Sequence, residues 1–187
     1  DINKVVRKRL FEGKVFLLVL TLVLISLVTT ACGGDGRQST PAKIRVGILG
    51  PLSGPFASGG KAMMQSLELA AEEVNAGGGL LGKQLELVQG DTQGKGDVAR
   101  SETLRLIERE KVQALVGAYL SEETNEVLEV AAEKKMVLMV PVSATNEITA
   151  KVAGNYEKYK YVFRVSYNIN QWAELMGSVI KGRDIRE

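Results

Sequence analysis

Ile44-Arg45-Val46-Gly47-Ile48-Leu49 runs into Gly50-Pro51-Leu52-Ser53-Gly54-Pro55, after which Met63, Leu67, Ala70 and Val74 recur at helical spacing. An apolar run, a Gly/Pro turn and an amphipathic stretch read as a buried strand followed by a crossover helix. The helix is expected to stop near Asn75-Ala76-Gly77-Gly78-Gly79, because glycine leaves a helix with positive φ at no steric cost. Outward from there the alternation continues with strand 84–89, helix 97–109, strand 112–116, helix 122–133, strand 136–140 closed by Pro141, strand 161–165 and helix 171–180. Five strands separated by helices predict an α/β fold with a doubly wound, open parallel sheet, since right-handed crossovers leave few other packings. In such sheets ligands sit beyond the carboxyl ends of the strands, which selects loops 50–60, 91–96, 117–121 and 141–146.

The first 31 residues differ sharply from this body. Lys4, Arg7, Lys8, Arg9 and Lys14 precede an apolar run from Val15 to Val28, the order of an export signal and too short for a bilayer span of about 20 residues. Val28-Thr29-Thr30-Ala31 then leads to Cys32, the only cysteine, followed by a Gly/Ser/Pro-rich stretch to Pro41 with no core for it to join. This looks like a lipobox, with Thr29 where a leucine is usual, so residues 1–31 are expected to be a signal peptide, Cys32 a lipidation site and 32–42 a linker. Without the signal, 19 basic and 20 acidic residues remain and the formal charge falls from +2 to −1. Such a body, with no basic block, carries no footprint for nucleic acid.

Several motifs together carry a resemblance. Gly50-Pro51-Leu52-Ser53-Gly54-Pro55, Asn75-Ala76-Gly77-Gly78-Gly79-Leu80-Leu81-Gly82-Lys83, Val140-Pro141-Val142-Ser143-Ala144-Thr145 and Tyr161-Val162-Phe163-Arg164 occur in the order and spacing of the leucine/isoleucine/valine-binding protein family. The resemblance runs from about Lys43 to Gly182 and implies the N-terminal lobe, residues 43–187, of a two-lobed receptor that takes an amino acid or related small solute and delivers it to an ABC permease. The signal and the lipobox-like Cys32 in turn predict an exported, lipid-anchored protein in the periplasm or on the outer face of the cytoplasmic membrane. The chain ends where such a protein would cross into its second lobe, so a lone lobe is expected to bind weakly. The alternatives are a sensory lobe of a receptor or regulator and a non-functional truncated product.

A zwitterionic solute needs N–H donors for its carboxylate and acceptors for its ammonium. Ser121 precedes helix 122–133, where free N–H groups and the helix dipole suit an anion; spacing alone also makes it an ordinary N-cap, and the resemblance places the family's carboxylate-binding serine on it. In loop Val142-Ser143-Ala144-Thr145 two hydroxyls can donate or accept, or Thr145 or Asn146 caps the next segment. The resemblance puts the family's threonine on Ala144, so Thr145 or Ser143 supplies that hydroxyl after a small shift, or the amino group is held differently. Where the family's amino-acid binders carry an aromatic, this chain has Gly59, with Phe56 a possible substitute. Tyr119 packs on a ligand or on the sheet edge, and Asp91 orients loop amides or is a solvated turn acid.

An enzyme is the competing class. Gly94-Lys95-Gly96-Asp97-Val98-Ala99 fits the dinucleotide fingerprint, but it follows the second strand and no acid at the end of the next strand awaits a ribose. With no histidine, no metal-ligand cluster and no cofactor signature, the sequence predicts no enzyme, no metal and no cofactor.

Overall fold

The computed structural model describes residues 43–182. The export signal, Cys32 and the linker lie outside the described residues.

Five parallel strands, β1 (Ile44–Gly50), β2 (Leu85–Asp91), β3 (Ala114–Val116), β4 (Leu138–Val140) and β5 (Val162–Arg164), form one sheet in the order β2-β1-β3-β4-β5. The crossovers are α1 (Ala57–Ala76), α2 (Gly96–Glu108), α3 (Ser121–Glu133), and the pair α4 (Glu147–Gly154) and α5 (Tyr156–Tyr159); α6 (Ile169–Gly182) follows β5. This is the expected doubly wound α/β sheet, and its order reverses between β1 and β3, the switch point of such a sheet.

Alternate residues of a strand face opposite sides, and β1 shows it. Leu49 joins Leu106, Leu115, Val127, Leu128, Leu138 and Val140 in the large core beneath α2 and α3, whereas Ile48 meets Met63 and Met64 of α1 on the other side. Fully burying one such Leu or Val contributes about 1.5–3 kcal/mol, so the α2–α3 face anchors the fold. The α1 stripe differs from expectation. Met63 is buried and Leu67 packs beside it as the spacing predicts, but Ala70 and Val74 are exposed, and Met64 and Ala71 are buried instead. It ends on the predicted glycines, with Gly78 and Gly79 at φ +100° and +81°.

Two differences concern the second half. Helices α4 and α5 occupy 147–159, where periodicity assigns nothing. Helix α6 forms as expected but buries none of its residues, and Trp172, Leu175, Met176, Val179 and Ile180 are all exposed. It is amphipathic without a partner among the described residues. None of the described helices is long and apolar enough to cross a membrane.

Candidate solute-binding site

Because every strand is parallel, the four selected loops share the carboxyl edge of the sheet. Two of them, with Ile169 beyond β5, line an open cavity of about 470 Å³ bounded by Ser121, Ala144, Thr145, Asn146, Glu147 and Ile169. Three residues expected from the sequence, Ser121, Ala144 and Thr145, therefore meet there. Ser143 stands just behind: it is buried, and its hydroxyl lies 3.4 Å from that of Ser121, which brings the β3 and β4 loops together.

Ser121 opens α3 after the extended Leu120, so the N–H groups of the first turn are aimed at the carboxyl edge. Thr145 stands just before the N-cap Asn146, and its hydroxyl accepts from the Glu147 N–H at 3.2 Å, which leaves the hydroxyl proton to be donated elsewhere. Asn146, considered from sequence only as a cap, contributes a buried side-chain oxygen without a hydrogen-bond partner, while its amide nitrogen donates to Asn170 at 3.0 Å. A buried orphan acceptor costs free energy, and because this oxygen is closed to solvent a donor reaches it only if the side chain turns. The Glu147 carboxylate, held by the Asn125 amide, adds a second acceptor. The lining thus offers N–H donors on one side and oxygen acceptors on the other.

Val142 and Tyr119 do not line this cavity. Val142 is 38% exposed. The Tyr119 phenol lies over Gly59, where a Cβ would collide with its Oη and Cζ, and it packs on the Ile48, Met63 and Met64 cluster. Tyr119 thereby fills the space beside Gly59, and Phe56 instead turns toward Gly94.

Asp91 orients loop amides. Its Oδ1 accepts from the N–H groups of Leu52, Gln93 and Ser53 at 2.8, 2.9 and 3.2 Å. Burial pushes the Asp91 carboxyl up, but bonds from the Ser53 hydroxyl and these amides outweigh it and hold the group below its ordinary value. Behind the β3 loop, the fully buried Glu123 accepts from the Leu120 N–H at 2.8 Å and from the Thr92 hydroxyl, tying the β2 and β3 loops together.

Within the fingerprint-like stretch Gly96 starts α2 and lets α3 approach closely, with the Cγ atoms of Glu126 and Glu122 3.2 and 3.4 Å from where its Cβ would be, which sets acidic side chains beside that helix start. No cluster of metal-ligating side chains is present among the described residues.

The sequence pattern of the periplasmic binding protein family matches residues 43–186. A chemotactic signal transduction system substrate-binding protein, BasB, of Halobacterium salinarum is 32% identical over 139 residues, 73% of this chain and 33% of its own length. A Leu/Ile/Val-binding protein homolog of Brucella abortus is 40% identical over 86 residues, 46% of this chain and 21% of its own. Among solved structures, the branched-chain amino acid transporter substrate-binding protein LivJ of Streptococcus pneumoniae, in complex with isoleucine, superposes with a TM-score of 0.62 at 29% identity, covering 68% of this chain and 34% of its own. The chain thus spans about a third or less of the length of these relatives. Parallel sheet, strand order and sequence agree, and the chain belongs to the periplasmic binding protein family, which includes the Leu/Ile/Val-binding proteins.

Proposed function

We propose that this chain is the ligand-binding lobe of an extracytoplasmic, non-enzymatic solute-binding protein that takes an amino acid or a related small solute for an ABC permease, and that Cys32 anchors it to the membrane through lipid. The observation that carries the reading is the cavity shared by Ser121 and loop 143–146. The N–H groups opening α3 suit a carboxylate, and the Asn146 oxygen and Glu147 carboxylate suit an ammonium. The isoleucine complex of the Streptococcus relative supports this class of ligand. In this reading Val142, Ser143 and Ala144 shape the loop, Thr145 supplies a hydroxyl proton, and Tyr119 bounds the neighbouring crevice.

The test is an NMR titration of the chain with L-isoleucine. Shifts at Ser121, Ala144, Thr145 and Asn146 are expected, with a dissociation constant of about 1 mM or weaker because one lobe leaves the solute half in water. Ser121→Ala should weaken those shifts, and shifts scattered over the surface would reject the site. A sensory role is the second reading, favoured by the match to the chemotactic Halobacterium protein. Loss of labelled amino-acid uptake on gene deletion supports transport, and loss of taxis with uptake intact supports sensing.

A further inference from the structure

We infer that Arg164 is the positioning residue of the β4–α4 loop, holding the cavity wall from behind. Its Nη1 donates to the Thr145 carbonyl and its Nη2 to the Thr149 hydroxyl, both at 2.7 Å, so one guanidinium bridges the end of the loop and the body of α4. It does not stand alone. The Ser166 hydroxyl donates to the Ser143 carbonyl at 3.1 Å and the Ile169 N–H to the Ala144 carbonyl at 2.9 Å. Three consecutive carbonyls, Ser143, Ala144 and Thr145, are thus drawn toward the strap that leaves β5, each by a different donor.

Of the three donors, only Arg164 is charged and only Arg164 is rooted in the sheet, at a position paired with Val140 of β4. Hydrogen bonds from a charged donor are about twice as strong as neutral ones, and the planar fork fixes direction as well as distance. Among the described residues no carboxylate forms an ion pair with Arg164, so its donors serve neutral acceptors of the loop. The Tyr161-Val162-Phe163-Arg164 motif acquires a role in this way: the apolar residues build an edge strand, and the arginine carries the strand's position to the wall of the cavity. That the wall binds a solute rests on the function proposed above; that Arg164 sets its position does not.

The experiment uses the full chain with Arg164→Met, which keeps the stem and removes the fork, Arg164→Lys, and Thr149→Val. Hydrogen exchange is followed over segments 141–150 and 165–170, against the remote core peptides of β1 and α2. For Arg164→Met we expect exchange in the two segments to rise at least about tenfold, since both charge-assisted bonds of the fork are lost, with the β1 and α2 peptides unchanged. Arg164→Lys should restore part of the protection, since an ammonium reaches one acceptor at a time, and Thr149→Val should release α4 more than the loop. Unchanged exchange in 141–150, or a uniform rise that includes the core, overturns the inference. L-isoleucine is the probe for the solute arm. If it fails to perturb the unmodified chain, the proposed ligand class fails while the exchange result still decides the role of Arg164.

Discussion

Replacing Glu123 separates the value of a buried carboxylate from that of its hydrogen bonds. Glu123 is fully buried, and its two oxygens serve the Leu120 N–H and the Thr92 hydroxyl, one on the β3 loop and one on the β2 loop. Glu123→Ala leaves both partners without Glu123 and opens a void. A lost partner costs about 1–3 kcal/mol and the void adds to it, but relief from burying a charge offsets part of the total, which leaves about 3 kcal/mol. For a domain of this size that is a fall in Tm of about 10 °C. Glu123→Gln keeps the shape, with the carbonyl oxygen accepting from Leu120 and the amide donating to the Thr92 oxygen, so it should cost less than about 1 kcal/mol. Thermal unfolding followed by circular dichroism at neutral pH reads both. Equal losses for the two variants would show that charge, not hydrogen bonding, holds the loops, and a loss under about 1 kcal/mol for Glu123→Ala would show that the loops stand without it.

At Gly60 a Cβ would strike the Pro51 carbonyl oxygen, with Pro51 C at 2.7 Å, so Gly60→Ala should cost about 1–3 kcal/mol in denaturant unfolding. One residue earlier, Gly59→Ala meets only the movable end of Tyr119, and its expected loss is below about 1 kcal/mol, with a change in the tyrosine near-ultraviolet signal as the ring is displaced. The Glu129 carboxyl bonds Lys151, Lys158 and Tyr159 at 2.9, 2.8 and 3.0 Å. Burial alone would raise it, yet the bonds from Lys158, Lys151 and Tyr159 outweigh burial and hold it at about 2, against an ordinary 4.5. A depressed carboxyl stabilises fully above its unfolded value, and the contribution is lost as pH falls from 4.5 toward 2. With the lysines partly exposed to screening water, about 1 kcal/mol should disappear over that window, and Glu129→Gln should flatten the pH dependence of Tm there. Since α6 buries nothing, Leu175→Ser should leave Tm within about 1 °C of the parent and reduce binding of a hydrophobic dye.

What could be read ahead of the structure followed from local chemistry. The runs around Ile48, Leu115 and Leu138 are apolar because parallel strands are covered on both faces, and the glycines at 77–79 end α1 because nothing else turns there cheaply. Ser121 and Thr145 do fall at helix starts, but neither is an N-cap: Ser121 is the first residue of α3 after the N-cap Leu120, and Thr145 precedes the N-cap Asn146. Helix α4 was not legible: of its residues only Ile148 is buried, and it is held by the Thr145 hydroxyl and by Lys151 reaching Glu129 across a long stretch of sequence. Nor could spacing show that the Asn146 oxygen would be left without a donor, that Tyr119 would fill the place beside Gly59, or that Arg164 would reach Thr145. Each depends on which loop the sheet order sets beside which.

Under the proposed function, the same order would let the cavity grip a solute from one side. Ile169 lines the cavity and is also the first residue of the uncovered α6, 56% exposed, while its N–H holds the Ala144 carbonyl. On the sheet side a bound solute would meet fixed backbone groups and shed its water; past Ile169 it would meet solvent. A hydrogen bond in water returns little net free energy, about 0.5–1.5 kcal/mol, because water competes for each partner. The donors opening α3 and the acceptors on Asn146 and Glu147 can therefore orient a solute, yet they gain strength only where water is excluded on every side. Under the proposed function these groups would select the solute, and tight affinity would need a second surface against the cavity.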